Sequence, residues 1–434
     1  MERRNFLRAS AGIGLGALLG AGLSACGTRG GSGSASLTMS QYGSSSRLEL
    51  LEQVFEAYAG SYPDRMVRLD AASVDNYIDR LATQVSGGNA PDVMGIFHNA
   101  IAQFARQNAL LELDDHIGQA LDTSEFTDGL VDLGRIGGAV SALSFGDNAH
   151  GVIYDVGLLE SIGKSVPEPG YTWEDLLSFS ADISRAVDGD FYGTEDRSSQ
   201  LDQGFKVWLL QRGKYAFTAD GELGFDSTDL TDWIEYWEML REEGAAPPAD
   251  VTAEAGGTFD SSALIRGYAA NHQTYANAMS SMQALTESPL ALTTLPIDPS
   301  GTGSGHFLRG SNWVGVFSRT DEPEAAVEFL DFMFNDPQAV EILGAELGAP
   351  PNRALRDTLD YSPAEQQFID YVNLITDELA DEAITLDQEF PAAWNDVNTA
   401  FGTATEDVRF GRADVSESVE QFFTTAEQAL RAGS

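Results

Sequence analysis

Apolar residues recur along the chain at two spacings, which predict alternating strands and helices. Short β-like runs at 36–41, 66–69 and 92–96 are separated by segments in which apolar residues recur every three or four positions. The first such segment carries its apolar residues at Leu48, Leu51, Phe55 and Tyr58. Strands that alternate with helices at this interval predict a parallel α/β layer.

The pattern changes in the middle of the chain. Strands are predicted at 140–145 and 151–154, on either side of the polar stretch Gly-Asp-Asn-Ala-His at 146–150. A hairpin is predicted around Asp220-Gly221, a dipeptide that favours the left-handed turns of hairpins. Further strands are predicted at 292–296 and 313–317.

Helices are predicted in the middle and at the end of the chain. Thr172, followed three residues later by Asp175, is typical of a capping box and predicts a helix over 173–187. The last 80 residues are predicted to be helical over 365–379, 393–408 and 415–432.

The first 26 residues have the pattern of an export signal. The pair Arg3-Arg4 precedes 17 uncharged residues, from Ala9 to Ala25, and Cys26 follows as the only cysteine of the chain. This arrangement resembles a twin-arginine lipoprotein signal, which implies that residues 1–25 are removed and that Cys26 is lipidated. A transmembrane anchor is the alternative, but the run is short and contains five glycines. Residues 26–36 are then expected to form a flexible tether.

Composition sets the size and charge of the mature protein. Cleavage before Cys26 leaves 409 of the 434 residues, which is more than one hydrophobic core usually supports, so two lobes are expected. With its one cysteine lipidated, the chain has no intramolecular disulfide.

The formal charge is −42 for the whole chain and becomes −44 without Glu2, Arg3, Arg4 and Arg8. Such a field excludes nucleic acid and anionic lipid as partners. Adaptation to salt and a compositional bias of the genome explain it equally well.

Motifs for catalysis are mostly missing from the sequence. There is no Gly-x-Ser-x-Gly elbow, and the five histidines are widely separated, with no His-x-x-x-His pair. We therefore expect no enzyme activity, no metal and no cofactor. Pairs of carboxylates cannot be placed from the sequence, so a secreted glycoside hydrolase stays open as an alternative.

Several segments, taken in order, resemble one family. Residues 84–93 (QVSGGNAPDV) resemble the "helix, Gly-Asn-x-Pro-Asp-Val strand" signature of extracellular solute-binding proteins of ABC importers. The chain is closest to family 1, in the carbohydrate-binding branch that includes maltose-binding protein. Further matching segments follow at 110–114, 151–159, 172–176, 259–270, 325–343 and 348–352. Asp155 and Ser144 depart from the family pattern, which usually has Asn and Pro there.

The resemblance implies an α/β, two-lobed clamshell of the periplasmic-binding-protein type II class. Three crossovers between the lobes are expected near 146–150, 293–297 and 346–350. The first lobe would then comprise 37–147 and 296–347, and the second 148–295 and 348–434.

The resemblance also implies a function. The protein would be a monomeric, extracytoplasmic lipoprotein, anchored to the cell membrane through Cys26. It would capture a neutral sugar or oligosaccharide by lobe closure and deliver it to the transmembrane subunits of an ABC permease. A binding protein for another solute, such as a polyol phosphate or a peptide, is the second alternative; Arg353 is the one arginine near a predicted cleft loop.

A sugar site needs aromatic faces for the pyranose rings and planar polar groups for the hydroxyls. Such groups are expected at the carboxyl ends of parallel strands and at the first crossover, while Tyr275 and Trp394 lie where related sugar binders carry aromatic residues. Burial in the core is the alternative for every aromatic residue in the set. The expected ligand-binding residues are Tyr42, Ser44, His98, Asn99, Asp147, Asn148, Phe205, Trp208, Tyr275, Asn312, Trp313 and Trp394.

Overall fold

The computed structural model describes residues 35–72, 74–218, 220–255, 258–379, 391 and 393–433. The predicted signal, Cys26 and almost all of the predicted tether lie outside these residues. Among the helices that are described, none is long and apolar enough to cross a membrane.

The strands of the described residues form three sheets. They are β1 (Ala35–Tyr42), β2 (Arg65–Ala72), β3 (Val93–Ile96), β4 (Arg135–Ile136), β5 (Ala139–Val140), β6 (Leu143–Asn148), β7 (His150–Asp155), β8 (Asn271–Tyr275), β9 (Leu290–Thr293) and β10 (Arg309–Val316). The first sheet has the order β2-β1-β3-β10-β6, the second has the order β8-β7-β9, and β4 pairs with β5.

The two larger sheets differ in strand direction. In the first sheet β1 is parallel to β2 and β3, as the alternation of strands and helices predicts, and only β10 runs antiparallel to its neighbours. In the second sheet β7 is antiparallel to both β8 and β9. The parallel layer of the first sheet is thereby confirmed, with one late strand inserted in the opposite direction.

Helices cover both sheets and form the end of the chain. They are α1 (Ser45–Ser61), α2 (Val74–Gly87), α3 (His98–Arg106), α4 (Val156–Ser161), α5 (Trp173–Ala186), α6 (Lys206–Gln211), α7 (Ser227–Glu242), α8 (Ala249–Glu254), α9 (Ala263–Arg266), α10 (Ala278–Gln283), α11 (Pro323–Asn335), α12 (Pro337–Leu343), α13 (Arg353–Arg356), α14 (Pro363–Leu374), α15 (Trp394–Arg409) and α16 (Val415–Gly433). Single π turns lie at Leu201–Phe205 and Ile375–Leu379.

Each of the two sheets is covered by apolar side chains on both faces. Successive strand residues point to opposite faces, so Val93 lies in the cluster on one side of the first sheet and Met94 in the cluster on the other. In the second sheet Val152 packs into a large aromatic cluster, and Ile153 packs on the opposite side with α10 and α14. Two cores, one about each sheet, make a two-lobed molecule.

The chain passes between the two sheets at a few points. β6 of the first sheet and β7 of the second are separated by Ala149 alone. After β9, Leu295 and Phe307 still pack in the cluster of the second sheet, and the chain joins the first sheet at Arg309. Near the third expected crossing, Leu347 and Ala349 lie in clusters of different sheets. The lobe limits inferred from the sequence stay a prediction.

Local signals in the sequence had mixed outcomes. The capping box of Thr172 and Asp175 is confirmed at the start of α5. Around Asp220-Gly221 the structure has a tight turn closed by one bridge, between Phe217 and Leu223, rather than a full hairpin. The segment 259–270, which resembles a helical segment of the family, forms a 3₁₀ turn and the short α9.

Candidate functional site

The ends of several strands meet where the chain passes between the sheets. Because β1, β3 and β6 are parallel, their carboxyl ends lie at one edge of the first sheet, and antiparallel β10 begins there with Arg309 opposite Asn148. In the second sheet, β7 begins with His150, which pairs with Tyr275 at the end of β8. Such a junction of strand ends is where α/β proteins bind ligands.

Tyr275 is the aromatic residue that joins the two sheets at this junction. Its ring centre lies 5.5 Å from the ring centre of His150 and 4.2 Å from the guanidinium carbon of Arg309, which begins β10. Its hydroxyl donates a hydrogen bond of 2.7 Å to Oδ2 of Asp202. Arg309 donates to the same oxygen at 3.3 Å. A partly exposed aromatic ring is thus held in place by Asp202, Arg309 and His150, which come from three separate segments.

Asp202 comes from the π turn that precedes α6. Gln203 in this turn has non-helical backbone angles, and single π turns often occur at functional sites. Lys206, one turn later, lies 3.7 Å from the Asp202 carboxylate and above the ring of Phe307. The turn therefore presents the Asp202 carboxylate to Tyr275, and Lys206 at the start of α6 lies near the same carboxylate.

His150 is a neutral group at this junction. Its side chain is buried, and burial is the main cause that lowers its pKa well below the ordinary value. The positive charges of Arg197 and Arg309 lower the pKa further. The imidazole is therefore uncharged near pH 7, and it backs the ring of Tyr275 from a buried position.

On the side of the first sheet, the expected aromatic residues Tyr42 and Trp313 are buried beneath the junction. The Tyr42 ring packs against Tyr77 and Phe97, with ring centres 5.0 and 4.2 Å apart. Burial raises the pKa of Tyr42 to about 12. Trp313 is buried, and the ring of His98 stacks on it at 5.2 Å. The half-buried His98 ring thus covers Trp313.

The polar residues expected near β1 and β10 are placed differently from one another. Ser44 is exposed and caps α1 by accepting a hydrogen bond from the backbone N–H of Arg47. Asn99 is exposed in the first turn of α3. Asn312 has a positive φ of 43° and donates to the carbonyl of Leu347, while its amide oxygen accepts from Arg47. Asn312 therefore ties β10 to the third crossing.

Asp147 and Asn148 lie at the first crossing, and Asp147 is fully buried. Its carboxylate accepts hydrogen bonds from Thr127 and, at 2.9 Å, from Arg356. Burial raises the pKa of Asp147 to about 6, although the charge of Arg356 opposes the rise. These partners give Asp147 a positioning role at the crossing. Asn148 accepts hydrogen bonds from the backbone N–H groups of Ala149 and Asn277.

Three expected aromatic residues pack within the second lobe. Phe205 is fully buried against Phe225 and Phe401, and Trp208 is buried with the guanidinium of Arg212 over its ring at 3.7 Å. Trp394 is half-buried and meets Phe217 edge to face. Because Phe205 and Trp208 have almost no exposed surface, we leave both out of the proposed contact set. Their environment favours the core role.

The junction brings together residues that sequence reasoning missed. His150, Asp202 and Arg309 surround Tyr275, but they lie on three segments that are far apart in the sequence. Arg309 shortly precedes the predicted strand 313–317, which was the one signal that could have placed it at a strand end. His150 ends the polar stretch 146–150 at the first expected crossing, which was its signal, whereas no local pattern was present for Asp202. Within the described part of the chain, no group of three or more His, Cys, Asp or Glu side chains could hold a metal ion.

Comparison with known proteins identifies the family. The family model described as bacterial extracellular solute-binding protein matches residues 43–340, well over half of the chain. The chain therefore belongs to this family of solute-binding proteins of the ABC-transporter type, which act outside the cytoplasm and bind substrates without converting them. The family resemblance drawn from the sequence is confirmed.

Solved structures show the same fold. A family 1 extracellular solute-binding protein from Alicyclobacillus acidocaldarius is 24% identical, with 93% of this chain and 100% of that chain covered and a TM-score of 0.75. A periplasmic oligogalacturonide-binding protein from Yersinia enterocolitica, in complex with saturated digalacturonic acid, is 18% identical over 92% and 99% of the two chains, with a TM-score of 0.77. A cyclic α-maltosyl-1,6-maltose-binding protein from Arthrobacter globiformis is 18% identical over 92% and 100%, with a TM-score of 0.72. The two-lobed clamshell fold is confirmed.

Proposed function

We propose that this protein captures a neutral sugar or oligosaccharide between its lobes and delivers it to an ABC permease. The observation that carries the proposal is the half-buried ring of Tyr275 at the junction of the two sheets, held by Asp202 and Arg309. An aromatic face suits the C–H face of a pyranose, and the polar groups around it suit the hydroxyls. Arg309 covers one face of the ring, so the sugar is expected to stack on the other.

Other groups at the junction complete the proposed contact set. His98 and Asn99 at the start of α3 and Ser44 at the start of α1 lie at the carboxyl ends of the strands of the first sheet. Trp394 stays in the set as an aromatic group at the start of α15. A carbohydrate is supported by the digalacturonic acid bound in the Yersinia structure and by the name of the Arthrobacter protein, a cyclic α-maltosyl-1,6-maltose-binding protein.

The mechanism follows from a hinged pair of lobes. A ligand that contacts both lobes binds the closed form more tightly than the open form, and it shifts the population towards closure by that difference in affinity. The permease would then receive the closed form. No bond is formed or broken in this cycle.

The anchoring part of the proposal rests on the sequence of residues 1–36. Lipidation at Cys26 after removal of residues 1–25 would keep a monomeric binding protein close to its permease, with the tether allowing it to rotate. Labelling of cells with a fatty-acid analogue tests this, because Cys26→Ser should abolish incorporation of the label.

A thermal-shift screen of the purified protein tests the ligand class. A sugar that binds only the folded protein raises the melting temperature once its concentration exceeds Kd. We expect a neutral mono- or oligosaccharide to do so, and the same sugar to be recovered intact after incubation. If no carbohydrate shifts the melting temperature while a polyol phosphate or a peptide does, the sugar assignment is wrong. Recovery of shortened sugar would instead favour a glycoside hydrolase.

A further inference from the structure

A separate polar cavity lies in the second lobe beside β8. Its volume is about 250 Å³, and its charged and polar lining includes Glu195, Asp196, Arg197, Tyr268, His272 and Arg409. His272 and Tyr275 are three residues apart on β8, so their side chains point to opposite faces of the strand. The cavity is therefore distinct from the junction around Tyr275.

The two carboxylates of the cavity already have partners. Glu195 accepts hydrogen bonds from the backbone N–H groups of Ala263 and Leu264, at 2.6 and 3.2 Å, and lies 2.6 Å from Nδ1 of His272. Burial is the largest single influence on the pKa of Glu195 and acts to raise it, but the contact with His272, the charge of Arg197 and the backbone N–H of Leu264 together lower the pKa. Both oxygens of Glu195 are thus engaged by donors.

Asp196 is engaged as well. Its side chain is fully buried and is bonded to Arg241, with Arg409 at 3.6 Å on the same oxygen. Its other oxygen accepts from the backbone N–H of Ser198. The acceptors of this cavity are therefore satisfied by groups of the protein itself.

The donors of the cavity are not satisfied in the same way. Arg197 donates through Nη2 to the side-chain oxygen of Gln203 at 2.9 Å, and no carboxylate among the described residues forms an ion pair with it. Burial lowers the pKa of Arg197, while the charges of Glu195 and Asp196 act to raise it. Its Nε, the Nε of Arg409 and the hydroxyl of Tyr268 are buried, with no acceptor in the described part of the chain. Three residues that line the cavity thus each keep one donor without an acceptor.

We propose that this cavity binds a single oxyanion, a carboxylate or a phosphate, through Arg197, Arg409 and Tyr268. Buried donors without acceptors are costly, and an oxyanion would supply the missing acceptors. The chain repels anions as a whole, with a formal charge of −42, so a local arginine pair is needed for such a ligand to bind. The proposal does not rest on the sugar-binding function.

The oxyanion has two sources that share this chemistry. It is either a free ion or an acidic substituent of a ligand that reaches from the junction. The second source is considered because Arg197 also lies near the junction. It donates a hydrogen bond to Gln203 in the π turn of Asp202, and its charge acts on His150.

Calorimetric titration and thermal shift of the full chain test the proposal, with inorganic phosphate, D-galacturonate and D-galactose as probes at constant ionic strength. Phosphate is expected to bind and to raise the melting temperature by about 2 °C at tenfold excess over Kd. Arg197→Gln should weaken this binding at least about tenfold, because a charge-assisted hydrogen bond is lost. Arg185→Gln, which removes an exposed arginine of α5, is the matched control and should leave it unchanged.

Tyr268→Phe removes only the hydroxyl and keeps the test informative if Arg197→Gln fails to fold. It should weaken phosphate binding without changing the far-UV spectrum. If galacturonate but not phosphate loses affinity in these variants, and galactose is unaffected, the oxyanion is a substituent of the sugar. If phosphate loses affinity in them and does not compete with galactose, it is a free ion.

A rise of melting temperature that is equal in wild type, Arg197→Gln and Tyr268→Phe would be a general salt effect and would overturn the proposal. If no neutral sugar of the screen binds while phosphate does, the proposed function is contradicted and the oxyanion site stays in place. The two claims therefore fail separately.

Discussion

Tyr275 and Phe205 are aromatic residues of the same lobe with opposite environments. Tyr275 keeps part of its ring exposed and is held by polar contacts to Asp202 and Arg309. Phe205 has no exposed surface and packs against the rings of Phe225, Trp233 and Phe401. At the residue scale, exposure and polar contacts separate a candidate ligand surface from the core.

Replacement of Tyr275 by Ala should weaken sugar binding by about 1–3 kcal/mol, because the stacking face is lost. The free energy of unfolding should change little, since the ring is only half-buried. Titration calorimetry with the sugar from the screen, together with urea unfolding, measures both quantities. Tyr275→Phe separates the ring from the hydroxyl bonded to Asp202.

Phe205→Ala is the matched aromatic control. It should lower the free energy of unfolding by about 3–5 kcal/mol, because it leaves a cavity among packed rings. If instead Tyr275→Ala collapsed the fold while Phe205→Ala left it intact and lost sugar, the assignment of the two residues would be reversed.

The sequence was informative about residue types but not about their surroundings. Tyr275 was expected from its place in the family pattern, whereas Phe205 and Trp208 look equally suitable in the sequence and are buried. Asp202, His150 and Arg309 were missed because no local spacing links them. Their meeting depends on how β8, β10 and the π turn pack, which a single sequence does not reveal.

At the scale of elements, strands with apolar residues were predictable and β8 was not. β8 reads Asn-His-Gln-Thr-Tyr and has no aliphatic residue, yet four of its five residues are buried. Partners outside the strand compensate for this burial. Asn271, for example, bonds to Thr194 and to the carbonyl of Gly193. A strand whose buried residues are polar has no apolar alternation, so the apolar pattern of the sequence does not predict it.

The first crossing, between β6 and β7, carries a titratable group. Asp147 is buried there against Arg356, and burial raises its pKa to about 6 from an ordinary value of 3.8. The folded protein thus binds this proton more tightly than the unfolded chain does. Its contribution to stability is full below pH 3.8 and is lost as the pH rises through about 6.

We therefore expect the stability of the wild type relative to Asp147→Asn to fall between pH 4 and pH 7. The fall is at most about 3 kcal/mol, since one pKa unit corresponds to about 1.4 kcal/mol. Urea unfolding at several pH values measures it. Asp370→Asn, the same substitution at an exposed site of α14, should show a constant difference from wild type. A constant difference for Asp147→Asn as well would show that its carboxyl does not titrate in this range.

At the scale of the whole molecule, the two-lobed fold and the family were predictable from ordered segments. Residues 84–93 lead from the end of α2 into β3, and residues 151–159 lead from β7 into α4. The resemblance therefore includes segments of both larger sheets. The detailed path between the lobes was harder to predict. Residues 298–307 have few apolar positions, and Gln211 holds them by bonding to the carbonyls of Pro296 and Ser304. One buried glutamine thus fixes a segment with little apolar content.

Small-angle scattering, with and without the sugar found in the screen, measures whether the lobes close on the ligand. The radius of gyration is expected to decrease as the sugar saturates the protein, because bound sugar favours the closed lobes. Tyr275→Ala should require more sugar for the same decrease. A radius of gyration that stays unchanged while calorimetry shows saturated binding would contradict capture by lobe closure.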